Sequence, residues 1–235
     1  MTLGAITPEE WVVISLSLRV SIVAVLLTLP FAFAVAWALA RWRFPGKILL
    51  DALVHLPLVV PPVVTGWLLL LLLGPNGPVG GWLERMLGIS LLFRWTGAAV
   101  AAAIMAAPLM IRAMRLSIEA VDRRLEQAAQ TLGAGRIRTL FTISLPLALP
   151  GILTGLVLGF ARSIGEFGAT ITFVSDIPGE TRTLPIAIYA GLQQPDGEAS
   201  VARFAIFSIA LCLAALLLSE WLTRRASPQG RGHVL

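Results

Sequence analysis

The sequence predicts an all-α integral membrane protein of five spanning helices, with one amphipathic helix held between two of them. Three observations carry that prediction. More than half of the 235 residues are hydrophobic and only 13% are charged, outside the range of a water-soluble domain. Apolar stretches near the roughly 20 residues needed to cross hydrocarbon recur along the chain. Between the third and fourth of them lies a polar island, Asp122 to Pro146, reading DRRLEQAAQTLGAGRIRTLFTISLP. No Gly-Ser linker or convincing repeat interrupts the pattern, so 1–235 reads as a single transmembrane domain.

The segment before the first span, Met1 to Glu10, has no basic residue and so lacks the n-region of a signal peptide; no cleavage is expected. Span one is Val20 to Ala40, with Arg19 snorkelling at one boundary. Arg41, Trp42, Arg43 and Lys47 mark the other boundary as cytoplasmic, which puts the N-terminus outside. Span two, Leu49 to Leu73, carries Pro57, Pro61, Pro62 and Gly66. Each interior proline removes a backbone hydrogen bond, so this helix is kinked or locally open. Irregular backbone at membrane depth lines a pathway or is buried in a bundle, and the pattern admits both readings. His55 lies four residues beyond Asp51 and can pair with it.

Gly74 to Gly81 is a turn-rich exit, and Trp82 to Trp95 reads as a segment along the outer interface. Span three, Gly97 to Leu116, contains Pro108 and ends inside at Arg112 and Arg115. There the polar island begins. Leu125, Ala128, Ala129 and Leu132 recur at i, i+3, i+4 and i+7, one stripe of a short helix capped by Asp122 and ended by Gly133. A second short segment follows, with Ile137, Leu140 and Phe141 on one side and Arg136, Arg138 and Thr139 on the other, until Leu145-Pro146 stops it. Such a helix either plugs a groove on another protein or lies on the bilayer.

Span four, Leu147 to Phe167, ends in ARSIGEFGATITF. Arg162 and Glu166 are four apart, and either charge alone in the membrane costs about 3 kcal/mol, so they pair or face water. A structural ion pair and a gate both fit. Gly165 and Gly168 permit close backbone approach, as at a subunit interface. Leu184 to Leu192 is too short to cross and reads as an outer-surface or partly re-entrant helix, a docking surface or a lid. Span five, Phe204 to Leu222, has Arg203 at its outer edge, with Arg224, Arg225 and Arg231 inside. The C-terminus is then cytoplasmic, and most basic residues, those of the polar island included, fall on that side.

Two histidines, one cysteine (Cys212) and no H-E-x-x-H exclude a zinc or thiol catalytic set, and no G-x-x-x-x-G-K-[ST] loop is present. The basic residues cluster beside apolar spans as topology signals rather than as a nucleic-acid patch. If ATP drives this protein, the nucleotide, with its magnesium, binds a partner.

Glu126, Ala128, Ala129, Leu132, Gly133, Ala134, Phe141, Leu145 and Pro146 resemble the E-x-A-A-x-x-L-G-A motif of permease subunits from binding-protein-dependent ABC importers. With FPGK at Phe44 to Lys47, HLPLVVPPVV from His55, ARSIGEFGATITFVS from Ala161 and IPGETRT from Ile177, nearly the whole chain is similar to the molybdate ABC transporter permeases. The G-E-F-G-A segment is shared with sulfate-type permeases; the IPGETRT loop and five-span length favour molybdate over the larger sulfate permeases, with sulfate, thiosulfate or tungstate as the alternative substrates of the same class. That resemblance implies a type I importer fold in the cell inner membrane and a homodimer of this subunit. It further implies two cytoplasmic ATPase subunits carrying ATP and magnesium, a periplasmic molybdate-binding protein, and no cofactor on this chain. It assigns ATPase coupling to Glu126, Ala128, Ala129, Leu132, Gly133, Ala134, Leu145 and Pro146. We place the translocation path or gate at Pro57, Pro61, Pro62, Arg162, Glu166 and Gly168. Other classes are a secondary transporter, against which the coupling motif stands, and a membrane-embedded enzyme, for which the spans offer no constellation.

Overall fold

The structure is a computed structural model that describes residues 7–226, with side chains to Trp221. Arg224 and Arg225, as side chains, and the segments 1–6 and 227–235, with Arg231 and His233, lie outside that description.

Every regular element among the described residues is helical. Helix α1 (Pro8–Arg41) has 34 residues, about 50 Å at 1.5 Å per residue, and starts twelve residues before the expected span. Its beginning is set by a capping box in which Thr7 and Glu10 exchange hydrogen bonds, with Pro8 in the first turn. Arg19 does not end it. The guanidinium stacks 3.8 Å over the ring of Trp95, so the charge is accommodated beside the helix and the hydrogen-bond ladder runs on.

The second span is broken rather than kinked. Helices α2 (Lys47–Val59) and α3 (Pro62–Leu73) meet at an angle of 114°, with Val60 and Pro61 extended between them. Neither Pro61 nor Pro62 supplies an N–H, which removes two consecutive rungs of the ladder. Among the described residues four single helices are long and apolar enough to cross a membrane, and the bent α2–α3 pair is either a fifth, broken span or a re-entrant loop.

Helix α4 (Gly80–Leu87) follows, closed by Gly88 in the left-handed region, and leads to α5 (Trp95–Ala120). This helix is the centre of the bundle. It buries Ala98, Ala99, Ala101, Ala102 and Ala106 towards its start and Met110, Ile111, Met114 and Ile118 towards its end. Small side chains let other helices approach closely.

After α6 (Arg123–Thr131) and the single turn α7 (Arg136–Thr139), a π-turn (Leu140–Ser144) runs into α8 (Leu145–Ile164). The expectation that Leu145-Pro146 stops the second amphipathic segment is therefore corrected: Arg136 to Ile164 is one continuous helical element. The Leu145 N–H bonds to the Leu140 carbonyl, five residues back, and in this wider register the helix carries Pro146 in the first turn of α8 without breaking.

Helix α8 packs on α5 through Gly151, Gly155 and Gly159, an i, i+4, i+8 stripe. A Cβ on Gly151 would collide with Ser117, and one on Gly159 would lie 2.6 Å from Met110 Sδ. The chain then breaks at Gly165 to Phe167, continues as α9 (Gly168–Val174), and passes through the loop 175–183 to α10 (Leu184–Gly191) and α11 (Glu198–Ala226). Of the two placements left open for 184–192, the packing is specific. Leu184, Ile186 and Ala187 are buried, and the Leu184 N–H bonds Ser17 of α1 at 2.7 Å. At the same end, Arg203 of α11 grips the Glu10 carboxylate through Nε at 2.9 Å and through Nη2.

The core falls into layers along the bundle. One joins the ends of α1 and α5 to the start of α8, around Leu39, Met110, Met114 and Ile152. A second joins the middle of α1 to the start of α5, α3 and α9, around Ala24, Leu69, Met105 and Phe173. A smaller third holds the start of α1 to α10 and α11.

Candidate functional site

The polar island folds as its stripe predicted. The Asp122 carboxylate accepts the Arg124 N–H at 2.9 Å, starting α6. Gly133 has φ +88° and Ala134 N–H returns to the Ala129 carbonyl at 3.0 Å, closing it. No α6 residue is buried. Leu125, Ala128 and Leu132 are exposed, Leu132 at 88%, as are Ile137 and Phe141. Between α6 and the base of α8 lies a cleft of about 410 Å³ lined by Leu125, Ala129, Leu132, Thr142, Ile143, Pro146 and Leu147. The segment thus presents an unpaired apolar face beside a cleft, whereas the opposite side of α6 is tied to the bundle.

Glu126 makes that tie. Its Oε1 accepts from Arg41 Nη2, at the end of α1, at 2.8 Å and from Ser144 Oγ, in the π-turn, at 2.7 Å. Arg41 also donates to the Val121 carbonyl at the end of α5, and Arg123 donates back to the Ala40 carbonyl. The arginine and glutamate side chains are 8% and 16% exposed. Of the proposed coupling residues, Ala128, Leu132 and Gly133 are exposed, Ala129 and Pro146 line the cleft, and Ala134 and Leu145 are half-buried. Glu126 faces into the protein.

The second candidate site is where the two chain breaks meet. Gly168, the first residue of α9, packs on Pro62, the first of α3: a Cβ at Gly168 would lie 2.7 Å from the proline Cβ. Gly66, one turn further on, touches Ala169 and Thr172 in the same way. This close approach is within one chain. Gly165 is open, its nearest Cβ neighbour being the Ala161 carbonyl at 3.7 Å.

Arg162 Nη1 reaches Glu166 Oε2 at 2.6 Å, and the other carboxylate oxygen accepts the Ala169 N–H at 2.9 Å. Glu166 lies beyond the end of α8, in the break, so the pair bridges a discontinuity instead of stabilising one helical face. Its carboxylate is buried, whereas the Arg162 side chain stays a quarter exposed. Pro57 lies in the last turn of α2, on a helix with no buried residue. Asp51 on that helix takes Arg115 Nη1 at 2.9 Å, and His55 Nδ1 is 3.4 Å from the same carboxylate.

Residues 28–228 match the family described as the inner membrane component of binding-protein-dependent transport systems. The chain belongs to this family. The permease is 59% identical over 219 residues, 93% of its own length and 96% of the other's, to the molybdenum transport system permease protein ModB of Escherichia coli K12. It is 55% identical over 222 residues, 94% and 97% of the two chains, to the ModB protein of Haemophilus influenzae. The sulfate transport system permease protein CysT of Escherichia coli K12 is more distant, 38% over 188 residues, 80% of the permease and 66% of CysT. Among solved structures, a bacterial alginate ABC transporter chain superposes with a TM-score of 0.74 at 22% identity, over 95% of the permease and 81% of that chain. That likeness establishes the fold.

Three features of the permease escaped the sequence reading. Arg41 was read only as a boundary charge, and Ser144 not at all. The spacing of Gly151, Gly155 and Gly159 was a readable signal for close helix packing. Nothing local marks Arg41 as the partner of Glu126, which lies 85 residues away.

Proposed function

We propose that the permease carries molybdate across the inner membrane by alternating access, as one half of a homodimer served by two ATPase subunits and a molybdate-binding protein. The observation that carries the substrate reading is identity at 59% with a molybdenum permease over nearly the full length, against 38% with the sulfate protein. The exposed face of α6 supports the energetic half of it. Leu125, Ala128, Leu132 and Phe141 are apolar and exposed, which fits a helix plugged into a groove on an ATPase. ATP and magnesium are held by that separate subunit.

In this reading the N-terminus is outside and α6 is cytoplasmic, because Arg41, Arg43 and Lys47 and the arginines of the polar island lie at one end of the bundle. ATP-driven approach of two ATPase subunits moves the two α6 helices together and opens the path outward. Hydrolysis restores the inward-open form. Both ligands bias one two-state bundle. The path passes the paired breaks at Pro61–Pro62 and Gly165–Phe167, with Pro57 on the approach and Gly168 packed on Pro62. Arg162 offers the anion a cation already partly neutralised by Glu166, so contact is brief and release fast. Discrimination rests with the binding protein.

Uptake of labelled molybdate into cells expressing the permease with its ATPase and binding protein tests this reading. Competition by tungstate and little by sulfate is expected. Equal competition by sulfate moves the substrate to the sulfate class and leaves the fold and family in place.

A further inference from the structure

Glu126 belongs to the segment just proposed to dock on an ATPase, yet its carboxylate points away from the exposed face of α6 and into the bundle. It receives Arg41 Nη2 and Ser144 Oγ on one oxygen, at 2.8 and 2.7 Å. Those two donors come from different spanning helices. Arg41 is the last residue of α1, and its guanidinium also holds the Val121 carbonyl at the end of α5 at 3.2 Å. Ser144 is the last residue of the π-turn that opens α8. One carboxylate on α6 is therefore hydrogen-bonded to two of the helices that build the inner core layer, and its arginine reaches the third.

The π-turn explains how Ser144 comes to be there. One residue beyond the α register advances a helix by about 100°. After the wide turn Ser144 is buried, whereas Phe141 and Thr142 of the same turn are exposed. The insertion rotates a hydroxyl inward to Glu126 and leaves Phe141 and Thr142 facing out. The node also has an unused donor, since Arg41 Nε is buried without a partner. A guanidinium with a free N–H can change its grip on a carboxylate without leaving it.

We propose that Arg41 and Ser144 are positioning residues for energy coupling. Through Glu126 they convert a displacement of α6 into a joint displacement of α1 and α8, with the π-turn as the joint. The inference rests on α6 being the ATPase-docking helix and adds how its motion reaches the spanning helices. A purely structural staple would hold α6 in place but would leave the stoichiometry of transport to hydrolysis untouched.

The test uses the complete transporter in proteoliposomes, with molybdate and its binding protein supplied, and reads molybdate moved per ATP hydrolysed beside the amount of assembled complex. Ser144→Ala and Arg41→Gln are expected to assemble and hydrolyse ATP while the ratio falls about fivefold or more, the range of a coupling free energy. Arg41→Lys, which restores a cation able to reach one oxygen, recovers part of the ratio. An unchanged ratio in both Ser144→Ala and Arg41→Gln overturns the proposal, as does loss of assembled complex with the ratio intact. If Arg41→Gln fails to assemble, Ser144→Ala decides alone, because it removes a single hydroxyl. Leu132→Arg separates the two readings: an ATPase that still co-purifies with this variant and is stimulated by it overturns the docking of α6 itself, whatever the node variants do.

Discussion

Replacing Gly66 with alanine probes the contact that holds the two broken spans together. In α3 the new methyl group would sit 2.6 Å from the Ala169 carbonyl oxygen, 2.8 Å from Thr172 Cβ and 3.0 Å from Ala169 Cα. Two of these are backbone atoms of α9 and the third is the root of a β-branched side chain, so none can swing away. Relief requires α3 and α9 to separate by several tenths of an ångström, and overpacking of this kind costs about 1–3 kcal/mol. Alanine is the better helix former and returns about 1 kcal/mol. The net expectation is destabilisation centred near ~1 kcal/mol and reaching about 2 kcal/mol, the overpacking cost less the helix-propensity gain. Gly165→Ala is the matched control: its Cβ meets nothing closer than 3.7 Å and its φ is −86°, so no penalty is expected. Thermal unfolding of the purified permease in detergent, followed by retention of the monodisperse species, ranks the two variants against the parent. A Gly66→Ala protein as stable as the parent, or a Gly165→Ala protein equally damaged, would refute the close packing of α3 on α9.

Glu126→Gln keeps an acceptor for Ser144 but removes the counter-charge of Arg41, and is expected to cost about 1–3 kcal/mol, read as a lower melting temperature. Gly133→Asp forces a side chain into φ +88° at an exposed position with no neighbour within 4 Å of a Cβ. It is expected to leave membrane insertion intact and to lower ATPase stimulation in reconstituted vesicles; unchanged stimulation would remove Gly133 from the docking face. Glu166→Gln retains an acceptor for the Ala169 N–H and loses the charge beside Arg162, so molybdate transport is expected to change more than dimer recovery. Loss of dimer recovery without a specific transport defect would make the pair structural.

The parts of the permease readable from its sequence are those where a residue type dictates local geometry. Asp122 and Gly133 bounded α6 because one side chain can cap a helix start and the other residue can adopt a left-handed close. Pro61 and Pro62 announced the break in span two, since consecutive missing N–H groups leave the ladder little alternative. What the sequence did not show are partners distant along the chain and a local change of helical register. Helix α1 begins well ahead of Arg19, whose charge finds the Trp95 ring to stack on. Gly168 was legible as a site of close backbone approach, but not that Pro62, over a hundred residues earlier, makes that approach. Pro146 resembled a terminator, whereas a π-turn just ahead of it lets the helix run on.

The same logic separates the two faces of α6. Its apolar stripe is a periodic property of the helix and is visible in any window of eight residues. The role of Glu126 is a property of a meeting point: the carboxylate, Arg41 and Ser144 are dispersed over a hundred residues and share no pattern. A motif glutamate in an exposed helix suggests contact with the partner subunit. Here the two hydrogen bonds it makes, to side chains from α1 and the π-turn before α8, account for one carboxylate oxygen within the chain itself. On the proposed function the apolar stripe supplies the docking surface and the glutamate the attachment, so a change expected to weaken docking and one expected to weaken transmission fall on opposite sides of the same nine-residue helix.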